Sequence, residues 1–569
     1  MKIAEKPIRS FVAEKLEINW DTIKSYFENL LNREIKSAEE LYQWLKDRSE
    51  LASVLEEEFA WRYIRMNIDT TNQEYQDAFN FYIKEINPKI APYEDKLNRK
   101  LDSCEFKDEI KEEGIDILLR EVRNQIELFR EENIPIFTEL EAESQKFGAI
   151  SGQLSIEYKG EEYTLQQAAK FLKNTDRNER KEVFELITEK RLSAKEKLDK
   201  LFNKLIALRQ QVAANTGFDN YRDYKFKAMG RFDYSIEDCL EFHQSVKQSF
   251  VPLGNWVDEI RKEKLQLDTL KPYDTAVDIE QKEPLKPFES GEELLQKSIE
   301  CFQKVDPFFA DCLREMDKRK HLDLESKKGK APGGFNYPLY ESGLPFIFMN
   351  AVGSFRDITT MVHEGGHAVH SVLSNDLPLV EYKSLPSEIA ELASMSMELI
   401  SMDHWDAFFP NEEELNRAKR DQLFDIAKTL SWVATIDKYQ HWIYTHKGHT
   451  NEERTEAWLE ISRDFGSDLI DWSDYPEAEK YVWQRQLHLY EVPFYYIEYG
   501  FAQLGAVAVW RNYRDNPEKG IQQYKDALSL GYTATIGEVY EAAGIRFDFS
   551  AEYLNELASF IRSEIEKTI

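Results

Sequence analysis

Residues 361–370 read Met361-Val362-His363-Glu364-Gly365-Gly366-His367-Ala368-Val369-His370. A helix turns every 3.6 residues, so His363 and His367 project from one face, one turn apart. That spacing can set two imidazole nitrogens about 2.0–2.1 Å from one Zn²⁺. Glu364, beside the first histidine, can take a proton from water at such an ion rather than bind the ion itself. A histidine pair on a solvated helix end would show the same three residues. Apolar Val362, Ala368 and Val369 point instead to a buried helix. Gly365 and Gly366 are poor helix formers, costing about 1 kcal/mol each relative to Ala, and tight packing against the motif accounts for their presence.

The third ligand separates the classes of such sites. A third histidine on the same motif needs Gly at 370 and His at 373, and those positions hold His370 and Leu373. A carboxylate from a later helix remains. Residues 387–399 carry Glu388, Glu391 and Glu398 on one helical face, among apolar or small neighbours and without Lys or Arg. A buried carboxylate stripe needs a cation nearby. Spacing alone leaves Glu388 and Glu391 both open as the ligand.

Working outward, the apolar run 345–350 predicts a strand just upstream of the motif helix, after a loop over 327–334. Ile23, Tyr26, Phe27, Leu30 and Leu31 form one helix face, and Ser37 with Glu40 predicts a capping box opening a second helix. Alternation at Leu154, Ile156 and Tyr158, then Tyr163 and Leu165, predicts a β-hairpin. Pro272, Pro284 and Pro287 mark residues 267–290 as a connection. The fold class expected is mainly α.

A hydrophobic content of 42% supports a large core, and a net charge of −31 argues against nucleic acid as a partner. Cys104, Cys239, Cys301 and Cys312 form no CxxC pair, so reduced thiols are expected. The first residues contain no apolar signal core, and no run approaches the roughly 18 apolar residues of a membrane span, so a cytoplasmic protein is expected.

The motif at 363–367, followed by Glu391-Leu392-Ala393-Ser394-Met395-Ser396-Met397-Glu398, resembles the oligoendopeptidase F and thimet oligopeptidase family of zinc peptidases. Residues 331–335, Ala-Pro-Gly-Gly-Phe, are similar to that family's loop before its edge strand. The resemblance implies a two-lobed helical body around a deep central channel, with a small β-sheet next to the metal helix. It divides the chain into an N-terminal helical lobe (1–110), a helical region with a hairpin (111–195) and a catalytic domain (196–569). One Zn²⁺ per chain would be held by His363, His367 and Glu391, with Glu364 as general base. His488, Tyr496 and Tyr499, in an aromatic stretch that read bare is more often core, match the family's residues for the substrate backbone and the oxyanion. A phenol donor there suits a carbonyl gaining negative charge. The strand at 346–352 is expected to pair with an extended substrate through Phe346, Asn350 and Ala351. The activity implied is cleavage of internal bonds in short, unstructured peptides, with the oligomeric state left open. The rivals are a dipeptidyl carboxypeptidase and a peptide-binding scaffold with a vestigial metal site. His370 is set aside because a fourth protein ligand would close the open position. His446 and His449 read as a surface turn, and His243, His321, His404 and His441 as isolated structural residues.

Overall fold

Asn19 caps the first helix, Trp20–Asn32, by accepting from the Thr22 amide, and Ile23, Phe27 and Leu30 form its buried stripe. Ser37 opens the second helix, Ala38–Ile68, by accepting from the Glu40 amide. The Glu40 carboxylate turns to the amide of Lys36 rather than that of Ser37, so the reciprocal bond of a capping box sits one residue early. Trp44 donates to the carbonyl of Leu30, tying the two helices together. These observations come from a computed structural model, which describes residues 8–569. The chain is 69% helical, in line with the mainly α expectation. No described helix is long and apolar enough to cross a membrane.

The hairpin pairs Ser155–Tyr158 with Glu161–Thr164. Lys159 and Gly160 both have positive φ (53° and 80°), as a two-residue turn that follows the strand twist requires. The four cysteines form no disulfide, and Cys239, Cys301 and Cys312 are buried.

The chain forms two compact units. One comprises Met1–Phe129, Lys286–Leu415 and Gly505–Phe547; the other comprises Arg130–Leu285, Asn416–Leu504 and Asp548–Ile569. The first unit holds the three-stranded sheet. Phe346–Ala351 is its central strand, parallel to Leu322–Glu325 on one side and antiparallel to Phe335–Tyr337 on the other. This corrects the expected substrate pairing along Phe346. Its strand neighbours Tyr337 on one side, while the next residue, Ile347, faces Leu322 on the other, and its side chain is buried. Asn350 donates to the carbonyls of Ala331 and Gly333, both at 2.8 Å, so its amide holds the preceding loop. Ala351 is buried and paired with Glu325. The short strand Phe335–Tyr337, brought beside 346–348 by the loop at 327–334, lies at the edge of the sheet instead.

The motif helix, Phe355–Leu373, follows this sheet and packs along the helix Ser387–Met402. The two glycines explain how closely. A Cβ on Gly366 would lie 2.6 Å from the Cα of Ser394 and 2.8 Å from the Ala393 carbonyl oxygen. A Cβ on Gly365 would lie 2.7 Å from the ring of Phe302. Backbone stands against backbone at Gly366, and a methyl group there has nowhere to go. At the crossing itself, the Ala393 carbonyl also accepts from the Tyr524 hydroxyl at 2.7 Å.

Gly366→Ala should therefore destabilise the protein by about 1–3 kcal/mol through overpacking. Gly148 is the control: it lies in the helix Ile134–Gly152, and a Cβ there meets nothing within 4 Å. Gly148→Ala should be neutral or stabilising, by up to about 1 kcal/mol. Urea unfolding of both variants checks this, and equal midpoints would remove the close approach as a constraint.

Candidate active site

The helix crossing brings three sequence-nominated side chains together. Oε2 of Glu391 lies 3.4 Å from Nε2 of His363 and 3.8 Å from Nε2 of His367. The three ligand atoms all fall within 4.8 Å of one another, the one such group of three among the described residues. Glu388, on the same helix, is outside that group. Separations of 3.4 and 3.8 Å exceed good hydrogen-bond lengths. They approach the edge of a tetrahedron with 2.0–2.1 Å bonds, about 3.3 Å. Two imidazoles and a carboxylate are also the donor set that Zn²⁺ takes in hydrolytic sites, so the residues fit that ion.

A further carboxylate orients the first histidine. Nδ1 of His363 sits 2.7 Å from Oε1 of Glu398, which turns Nε2 toward the cluster. Sequence reasoning placed Glu398 on the acidic face without assigning it this task. The signal was its seven-residue spacing from Glu391, which repeats the same helical face. Ser394 donates to Oε2 of Glu391 at 3.1 Å.

Burial sets the electrostatics. It opposes charge on His363, but Glu391 and Glu398 outweigh it and hold the imidazole pKa well above its ordinary value. Burial pushes His367 down to about 4, so this ring is neutral, the form that binds a metal. Glu364 is 6% exposed. Burial raises its carboxyl to about 7, against the attraction of His363 and with help from Glu391. A carboxyl group poised there can hold or release a proton near neutrality. His370 lies in the core, where burial drives it down to about 3, and it stands outside the cluster.

The second unit gathers the aromatic candidates. His488 is on the helix Leu487–Glu491, and Tyr496 and Tyr499 are on the helix Tyr496–Asp515. Ring centroids are 4.6 Å apart for His488–Tyr496, 5.8 Å for His488–Tyr499 and 5.6 Å for Tyr496–Tyr499. Two buried arginines fix the intervening chain. Arg209 donates to the carbonyls of Leu489 and Tyr490. Arg231 donates to the carbonyl of Phe494 and to the Glu498 carboxylate. Phe494 has a φ of 68°, the left-handed region, and its amide donates to Gln440 at 2.6 Å.

The remaining histidines lie outside the cluster, and not all are isolated. His243 and His441 share the buried carboxylate of Asp437, at 2.9 and 3.2 Å. His404 meets the hydroxyl of Tyr513 at 2.7 Å, and His321 faces the Leu344 carbonyl at 2.9 Å. His446 and His449 are exposed or half-buried beside Trp442.

The chain is similar to known peptidases. Residues 170–559 match the model of peptidase family M3, and residues 14–129 that of the peptidase M3 N-terminal domain. An oligoendopeptidase F homolog of Borreliella burgdorferi is 24% identical over 553 residues, 91% of this chain and 86% of that protein. The solved structure of PZ peptidase A with an inhibitor superposes with a TM-score of 0.91 at 26% identity, covering 98% of this chain and 99% of the other. The structure of oligoendopeptidase F from Enterococcus faecium shares the fold, with a TM-score of 0.64 at 15% identity over 96% and 97% of the two chains. The family match spans well over half of the chain: the protein belongs to peptidase family M3, in its oligoendopeptidase F branch.

Proposed function

We propose that this peptidase is a zinc-dependent endopeptidase that cuts internal bonds of short, unstructured oligopeptides. The observation that carries the proposal is the His363, His367 and Glu391 cluster, with the buried Glu364 next to His363 on the same helix. His363, His367 and Glu391 would hold the ion, with Glu398 orienting His363. When bound, Zn²⁺ supplies Lewis acidity and lowers the pKa of water. Glu364 accepts a proton from the attacking water at a carboxylate oxygen and later returns it to the leaving amine. Tyr499 donates its hydroxyl proton to the oxygen that gains charge, a role worth about 2.7–4 kcal/mol for such donors. His488 and Tyr496 hold the substrate backbone. The oligopeptide substrate class is supported by the family and by the names of its oligoendopeptidase relatives.

Four measurements test this reading. Metal analysis of purified protein should give one zinc per chain, lost in Glu391→Ala and largely kept in Glu388→Ala; the opposite pattern exchanges the ligand. Glu364→Gln should keep zinc while turnover collapses, and substantial hydrolysis by the zinc-loaded variant would refute the base. Tyr499→Phe should lower kcat about 100- to 1,000-fold with little change in KM. Mass spectrometry of a peptide set with free and amidated C-termini reads the cleavage mode. Internal cuts in amidated peptides are expected; loss of dipeptides from free ends alone indicates a dipeptidyl carboxypeptidase, and no cuts a scaffold.

A further inference from the structure

A cavity of about 560 Å³ lies within the second unit, and none of the residues assigned above is in its lining. Its walls include the helices Ile236–Lys264 and Glu412–Thr445. Its volume is within the range of small-molecule sites. Three buried oxygens on its lining residues have no hydrogen-bond partner: Oδ1 of Asn255, Oδ2 of Asp258 and Oγ of Ser431. Asp258 and Ser431 are 1% and 8% exposed, and the other Asp258 oxygen already holds Lys428. Buried acceptors of this kind call for an N–H donor, and an ammonium group offers three. Arg463 and Arg485 line the same cavity, and neither has a carboxylate partner among the described residues. Arg485 lies over the Trp432 ring at 5.1 Å, which leaves its N–H edge for an anion. Lys428, Arg463 and Arg485 balance Asp258, Asp468 and Glu479, so the lining is charged with both signs but neutral in sum. The indoles of Trp432 and Trp458 supply an apolar wall.

We propose that this cavity is a ligand site for a small zwitterion, an amino acid or dipeptide with an apolar side chain. Its ammonium meets Asn255, Asp258 and Ser431, and its carboxylate meets Arg463 and Arg485. This site stands independently of the proposed activity. Calorimetric titration with leucyl-leucine and with its N-acetyl and C-amide forms tests it, using Glu364→Gln protein as a host that does not consume the probe. Saturable binding of the free dipeptide is expected, weakened at least about tenfold by blocking either end or by Ser431→Val or Arg463→Ala. Binding should persist in Glu391→Ala. Three results overturn the proposal: no saturable binding at 10 mM (about 2.7 kcal/mol), equal binding of the blocked forms or lining variants, or loss of binding in Glu391→Ala.

A different observation carries a second inference, which rests on the role proposed for His488. Trp432 Nε1 donates to Oε1 of Gln486 at 3.0 Å, and Nε2 of Gln486 lies 2.7 Å from Nδ1 of His488. An indole N–H can only donate, so the amide oxygen of Gln486 must face Trp432 and its NH₂ must face His488. An amide NH₂ also only donates, so Nδ1 of His488 accepts and the ring proton is on Nε2. We infer that Gln486 is a positioning residue that keeps His488 neutral, with Nε2–H as its donor to substrate. Gln486→Glu replaces the NH₂ with an acceptor and calls a proton onto Nδ1. ¹⁵N NMR of histidine-labelled protein should show a bare Nδ1 in the wild type and a protonated one in the variant. The variant's imidazolium still donates at low pH, but its neutral form has lost Nε2–H, so kcat should fall as pH rises, a limb the wild type lacks. A protonated Nδ1 in neutral wild-type protein, or identical pH profiles, overturns the inference. Unimpaired turnover by His488→Ala would instead overturn the role of His488 and leave the NMR result standing.

Discussion

Everything chemical in the first unit depends on one contact, the passage of the motif helix over the helix Ser387–Met402 at Gly366. Helix axes with ordinary side chains between them lie 8–10 Å apart. Removing a Cβ at the crossing point lets the backbones meet, with Gly366 against Ser394 and the Ala393 carbonyl. Only at that separation can a short glutamate side chain on one helix reach two imidazoles on the other. Two poor helix formers in a buried helix are a local defect, and the approach they permit is the compensation. Tyr524 donates to that same Ala393 carbonyl, and the Tyr540 hydroxyl reaches the Glu388 carbonyl on the same helix at 3.4 Å.

The second unit holds its candidate residues by another means. The segment around His488 and Phe494 contains a short helix, a left-handed residue and few repeating hydrogen bonds. Its carbonyls are gathered by Arg209 and Arg231, two guanidiniums that are almost fully buried. A planar fork with five donors can serve several carbonyls at once, which a lysine cannot. An irregular segment thereby gains the rigidity of a regular one, and the rings of His488, Tyr496 and Tyr499 keep a common arrangement.

The local chemistry was legible in the residues. The i, i+4 histidines, the acidic face of residues 387–399, the hairpin and the first two helices all rest on periodicities of 3.6 or 2, which a single sequence displays. What escaped depends on segments far apart in the chain. The strand at 346–351 reads as a strand, but nothing within it tells that residues 322–325 and 335–337 flank it on both sides and bury Phe346. Asp437 carries no mark that His243, nearly two hundred residues earlier, shares it with His441. The choice between Glu388 and Glu391 is of the same kind, because one face of a helix accommodates both and only the crossing distinguishes them. Glu398 was visible as part of the pattern, yet its bond to His363 follows from the depth of the helix packing.

The thiols carry a practical consequence. Burial pushes the sulfhydryls of Cys301 and Cys312 far up from their ordinary range, and Cys239 is likewise enclosed. Thiolate is the species that reacts, so these three stay silent toward electrophiles while the fold persists. Cys104, at the C-cap of the helix Asn87–Ser103, is the half-buried exception. The native chain thus offers one address for a maleimide dye without any engineering. A fluorophore there reports on the N-terminal helices, and exposure of the other three thiols becomes a clock for unfolding.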